Sequence, residues 1–253
     1  MPRGQRVYAV GDVHGRLDLL EKLLAAIEAD DAARGAARTT LVFLGDLIDR
    51  GPASAQVIER VSTYRLPGGG RVLCLCGNHE EVMIRVLRGD GDLLYDWTKF
   101  GGAECLRSYG LSPTRLKRME PAEAVAKLKA AVPKQHAKFL QGLADTVRIG
   151  DYLFVHAGIR PGVELMSQAQ NDLRWIREPF LAHDGGHGFV VVHGHTISAS
   201  AEVLPNRIGI DTGAYRSGVL TAIALEGADR WFLEARADDA ARPEAPAAAR
   251  EHV

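Results

Sequence analysis

Residues 6–15 read Arg-Val-Tyr-Ala-Val-Gly-Asp-Val-His-Gly. The apolar run Arg6–Val10 predicts a buried strand, and Gly11-Asp12-Val13-His14-Gly15 predicts a glycine-lined loop at its end. The arrangement recurs twice. Thr40–Leu44 runs into Gly45-Asp46-Leu47-Ile48-Asp49-Arg50-Gly51, and Arg71–Cys76 into Gly77-Asn78-His79-Glu80. Between the strands, Leu17–Ala29 places Leu19, Leu20, Leu23, Leu24 and Ile27 on one helical face. Ser54–Arg65 predicts a second helix. This βαβαβ rhythm implies an α/β fold with a mostly parallel, buried sheet. In open α/β sheets ligands bind at the carboxyl edge, where these loops collect.

Further along, residues 80–143 read as mostly helical. Leu106–Lys138 is rich in Arg and Lys. Such a run is either a set of solvated helix faces or a lid whose field steers an anionic substrate. The last third turns to strands: Thr146–Ile149, Tyr152–His156, Phe189–His193, Arg207–Ile210, Val219–Leu225 and Trp231–Ala235. They imply a second sheet, mixed or antiparallel. One domain over residues 1–236 is expected, with a helical insertion at about 80–144. Residues 237–253, rich in Ala, Pro and charge, are expected to be a disordered tail.

The 253 residues carry 31 Lys plus Arg against 32 Asp plus Glu, a net charge of −1. That excludes a globally basic nucleic-acid binder, so no nucleic-acid partner is expected. Three cysteines are too few for a disulfide framework and point to a reducing, cytoplasmic setting. No apolar run of about 18 residues occurs, so no membrane association is expected. Composition leaves the oligomeric state open.

Two further short segments carry chemistry, Val155-His156-Ala157-Gly158 and Gly194-His195-Thr196. With the three loops above they make five segments that place Asp, Asn or His at strand ends. Oxygen and nitrogen donors without thiolate suit Mn²⁺, Fe or Zn²⁺ in an open site better than a closed structural zinc site.

In order and wording, the five segments resemble the signature of the PPP-type serine/threonine protein phosphatases. These belong to the calcineurin-like metallophosphoesterases, and the bacterial and lambda phage phosphatases are the most similar members. The likeness runs from about Arg6 to Leu225. It takes in Trp97 with Gly101-Gly102, Trp175-Ile176-Arg177-Glu178 and Ile210-Asp211-Thr212-Gly213-Ala214. It implies a four-layer α/β/β/α sandwich of two mixed sheets flanked by helices, with two divalent metals, Mn²⁺ foremost. By the likeness, Asp12, His14 and Asp46 hold one metal. Asp46, Asn78, His156 and His195 hold the other, with Asp46 bridging. His79 is then the general acid, oriented by Asp49, and Arg50 and Arg177 grip the phosphate. The implied reaction is phosphomonoester hydrolysis by in-line attack of a metal-bridging hydroxide. The implied substrate is phosphoserine or phosphothreonine in a phosphoprotein, or a phosphorylated small molecule.

One position departs from the pattern. The family commonly has arginine before Gly-Asn-His-Glu, and here the residue is Cys76. The residue faces either the rim of the metal site or, sharing a strand face with Cys74, the core. The alternative function is a symmetrical dinucleoside-polyphosphate hydrolase, a class with the same metal motifs.

Overall fold

The computed structural model describes residues 1–237. The expected tail lies outside the described residues but for Ala237.

The first three strands pair in parallel: β1 (Gln5–Val10), β2 (Arg38–Phe43) and β3 (Arg71–Cys74). The crossovers are α1 (Leu17–Ala33) and α2 (Ser54–Thr63). A helical stretch follows: α3 (Asn78–Arg88), α4 (Gly91–Trp97), α5 (Gly102–Ser108), α6 (Pro113–Leu116), α7 (Pro121–Ala131) and α8 (Lys134–Gln141). Then come β4 (Thr146–Ile149), β5 (Tyr152–Val155), α9 (Gln170–Trp175), β6 (Val190–His193), β7 (Glu202–Val203) and β8 (Arg207–Gly209). The described chain closes with α10 (Ala214–Ser217), β9 (Val219–Glu226) and β10 (Asp229–Arg236).

Two mixed five-stranded sheets result, ordered β10-β9-β1-β2-β3 and β4-β5-β6-β8-β7. Their layering follows from the two-residue period of strands. Val7, Ala9, Val42 and Leu44 point into the space between the sheets, against Phe154, Val192 and Ile208. The alternate residues Tyr8, Val10, Leu41 and Phe43 face the other way, onto the leucines of α1 and the helices that follow. On the second sheet Leu153, Val155 and Val191 pack outward on Leu173, Ile176 and Phe180. Helices thus flank both outer faces, as the α/β/β/α expectation requires.

Each sheet has a run of three parallel strands, β1-β2-β3 reaching the edge of one and β5-β6-β8 in the middle of the other. The carboxyl ends of these strands feed the loops that hold the Asp, Asn and His residues.

One expectation needs correction, and one pair of readings is decided. The strands read at Val219–Leu225 and Trp231–Ala235 do not extend the second sheet. They return to the first, where β9 lies antiparallel to β1 and β10 antiparallel to β9. The basic stretch from Leu106 to Lys138 follows the reading of solvated helix faces, its Arg and Lys side chains exposed, and is not a lid over the site. Its helices pack against α2, α3, α4 and α5, and the cleft wall comes instead from Leu93, Asp96, Trp97 and Phe100.

Candidate metal centre

Five non-glycine residues have positive φ among the described residues: His14, Asp46, Asp49, Arg50 and His195, from 44° to 73°. All five are candidate site residues. Left-handed backbone is costly for such side chains and persists where the surroundings enforce it. Glycines make room beside them. A Cβ at Gly77 would lie 2.1 Å from Asp46 Oδ1, and one at Gly194 would lie 2.0 Å from Asp12 Oδ1.

Atoms of the kind that could hold a metal ion gather in two groups, His14–Asp46–His79 and Asp46–His156–His195, with Asp46 common to both. Backbone carbonyls fix the histidine tautomers. His14 Nδ1 faces Ile48 O at 2.8 Å and His156 Nδ1 faces Leu44 O at 2.9 Å. A carbonyl only accepts, so each Nδ1 carries the proton and each Nε2 keeps its lone pair. His156 Nε2 then lies 3.0 Å from Asn78 Oδ1 and 3.5 Å from Asp46 Oδ1. Asn78 Oδ1 is also 3.0 Å from His195 Nδ1.

The electrostatics fit bound cations. Burial lowers all three of these histidines, taking His14 and His195 to about 3, so they stay neutral and able to ligate. Asp12, Asp46 and Asp211 are buried together. Burial, Asp211 and Asp46 push Asp12 well up, and burial pushes Asp211 up to about 6. Burial also works against ionisation of Asp46. The surrounding imidazoles, His156 foremost, outweigh it and hold the carboxyl low. Asp12 Oδ1 and His195 Nε2 are buried without a hydrogen-bond partner. Clustered buried carboxylates and orphaned lone pairs are what a multivalent cation relieves.

Asp12 stands beside the second group rather than inside the first. Its Oδ2 accepts from the His195 N–H at 3.0 Å. His79 Nδ1 pairs with Asp49 Oδ2 at 2.6 Å, and Trp97 Nε1 donates to the same oxygen at 2.6 Å. Burial would lower His79, but Asp46 and Asp49 prevail and push it up to about 9. Arg50, Arg177 and His79 line one cleft of about 570 Å³ together with His14, Asp46, Asn78 and His195. Cys76 does not line it. The residue is buried in the core beneath the helices, which decides between its two readings in favour of packing.

Residues 5–222 match the calcineurin-like phosphoesterase family. The chain belongs to that family. Its relatives include the asymmetrical bis(5'-nucleosyl)-tetraphosphatase of Bacillus velezensis, 26% identical over 84% of this chain and 86% of the relative. The symmetrical enzyme of Paracidovorax citrulli is 24% identical over 94% and 99%. The fold resembles the crystal structure of a candidate diadenosine tetraphosphatase, with a TM-score of 0.65, 21% identity, and coverage of 92% and 94%. A yeast serine/threonine phosphatase shares the fold at a TM-score of 0.53, 14% identity, and coverage of 94% and 82%. The expected superfamily therefore stands, while both relatives are named for bis(5'-nucleosyl)-tetraphosphate hydrolysis, the second with the symmetrical cleavage of the alternative function and the first with asymmetrical cleavage.

Several site residues escaped the sequence reading. Glu80 is fully buried, and its carboxylate accepts N–H bonds from Asp46, Leu47 and Gly77 at 2.8–2.9 Å and from Ile48 at 3.3 Å. It ties the Asp46 loop to the Asn78 loop. Its signal was available: Gly77-x-x-Glu80 has the spacing of a helix capping box. Tyr215 and Arg216 line the cleft from α10, and the Tyr215 hydroxyl accepts from Arg50 Nη1. Nothing local in the sequence marks those two.

Among the described residues, no helix is long and apolar enough to cross a membrane.

Proposed function

We propose that this chain is a two-metal hydrolase of dinucleoside polyphosphates. The observation that carries the reading is the shared Asp46 carboxylate, with the His79–Asp49 pair beside it in a cleft lined by Arg50, Arg177 and Arg216. Two things favour this substrate class over phosphoproteins. The curated relatives that span nearly their whole length are named bis(5'-nucleosyl)-tetraphosphatases. In addition, position 76 carries a cysteine, buried in the core, and so supplies no phosphate-gripping arginine.

Asp12, His14, Asp46, Asn78, His156 and His195 would hold two divalent cations, with Mn²⁺ proposed and Fe or Zn²⁺ as alternatives on this donor set. Bound there, the cations polarise phosphoryl oxygens and lower the pKa of a water toward neutrality. The protein's own groups do the rest. Arg50 and Arg177 present guanidinium forks to the phosphate chain. Asp49 holds the Nδ1 proton of His79, which leaves Nε2 to protonate the departing oxygen. Trp97 fixes Asp49 from its other side.

The test compares diadenosine tetraphosphate with a phosphopeptide panel, measuring kcat/KM on metal-loaded protein and resolving the products. Two ADP mark symmetrical cleavage, and AMP with ATP marks asymmetrical cleavage. The expected result is a preference for the dinucleotide. A higher kcat/KM on phosphopeptides would overturn the reading in favour of a protein phosphatase.

A further inference from the structure

We infer that Phe100 and Trp175 are the stacking platforms for the two nucleobases, an inference that rests on the dinucleoside-polyphosphate reading above. Both line the metal cleft, yet Phe100 is 67% exposed and Trp175 is 38% exposed. A large aromatic ring left in water forgoes its burial energy, and such rings gather where a ligand covers them.

Neither ring hangs on a loose segment. Phe100 lies between α4 and α5 and precedes Gly101, whose carbonyl accepts the Arg50 N–H at 3.0 Å. A Cβ at Gly101 would meet Arg50 Cγ at 2.6 Å, so the Phe100 turn sits directly on Arg50. Trp175 ends α9, and its indole N–H donates to Glu81 Oε2 at 3.1 Å. Arg177 follows two residues later and also lines the cleft.

The cleft therefore carries two aromatic–arginine pairs, contributed by separate elements, around one cluster of ligating atoms. A polyphosphate chain with a base at each end has the complementary layout: charge in the middle for the arginines, flat π-faces at the ends for the rings. The other aromatics of the cleft are committed. Tyr215 has the Arg50 guanidinium over its face at 4.6 Å, and Trp97 is buried with its N–H on Asp49.

The experiment measures KM for diadenosine tetraphosphate and the inhibition constant of tripolyphosphate, which has the charge without the bases. It uses metal-loaded wild type, Phe100→Ala, Trp175→Ala and Phe100→Tyr. The two alanine variants should each raise KM about tenfold or more relative to the tripolyphosphate constant, the usual scale for losing one base–aromatic stack. Phe100→Tyr should restore it, since it keeps the ring, and it guards against a mere packing defect. If wild type cleaves the dinucleotide and both alanine variants keep the wild-type ratio, the platforms are wrong while the substrate class stands. If wild type does not cleave the dinucleotide, the substrate reading falls and the platforms with it.

Discussion

Trp97 and His79 meet on a single oxygen: Asp49 Oδ2 receives the indole N–H at 2.6 Å and the imidazole Nδ1 at 2.6 Å. The carboxylate is buried, and burial pushes its own pKa up. It is held in place from two sides, by α4 through Trp97 and by the start of α3 through His79. On the proposal that His79 is the proton donor, its direction depends on Trp97, which reaches it only through Asp49.

Trp97→Phe should keep the fold and both cation sites while loosening Asp49. We expect kcat to fall about tenfold for leaving groups that need protonation, part of the general-acid effect. An aryl phosphate with a good leaving group should lose less. Steady-state kinetics across leaving groups checks this, and equal losses for all of them would count against a role through His79.

His79 also gives a pH signature in the metal-free protein. Its pKa is pushed up to about 9 in the fold, against about 6.5 for a free imidazole. A raised pKa means the stabilisation is complete below about 6.5 and is lost as pH rises through about 9. His79→Asn should be less stable than wild type at pH 6, and the gap should narrow by about 3 kcal/mol toward pH 10. Urea denaturation in the presence of chelator at the two pH values measures it. A gap that does not change with pH would refute the assignment.

Much of the site was legible because a metal centre of this kind is built from short local units. A strand end, a glycine and an Asp or His within a few residues suffice, and all of these are written in the chain order of Asp12, His14, Asp46, Asn78, His156 and His195. What escaped was long-range. Nothing near Val219 says that β9 will pair with β1, a pairing fixed partly by Arg6 Nε on Glu226 Oε2 across 220 residues at 2.8 Å. The cleft walls escaped for the same reason, since Phe100, Trp175 and Tyr215 come together only in the fold. Cys76 was legible from strand period. It shares a face with Cys74, Leu75 between them turns to the opposite face, and the side chain goes to the core.

That placement makes Cys76→Arg informative. Inserted in the core, a guanidinium would find the nearby carboxylates engaged: Arg174 holds Asp145 at 2.6 Å and Glu81 at 3.4 Å, and four backbone N–H groups hold Glu80. Burying an unpaired charge costs several kcal/mol. The variant should melt well below wild type and should show no decrease in KM for any phosphorylated substrate. A stable variant with a lower KM would return position 76 to the phosphate site.

Shared ligation predicts unequal losses among the metal-facing residues. Asp46 belongs to both donor groups, whereas His14 and His195 belong to one each. Asp46→Asn should bind less metal after dialysis than either His14→Ala or His195→Ala, and should lose more activity. Elemental analysis decides, and full two-metal occupancy in Asp46→Asn would remove the bridging assignment.

Glu80→Gln tests whether the two metal loops depend on one carboxylate. Oε2 takes the N–H groups of Asp46 and Gly77, while Oε1 takes those of Leu47 and Ile48. Glutamine has nearly the same shape but only one carbonyl oxygen. Whichever way the amide turns, its NH₂ must face two backbone donors. Each buried donor left unsatisfied costs about 1–3 kcal/mol, so the metal-free protein should lose roughly 2–4 kcal/mol of stability. The loss should also reach the metals, because Asp46 and Asn78 are placed by the backbone that Glu80 ties together. Chelator competition should show weaker metal binding even though Glu80 itself ligates nothing. Wild-type stability without metal, together with wild-type metal affinity, would mean that the loops hold their geometry without it.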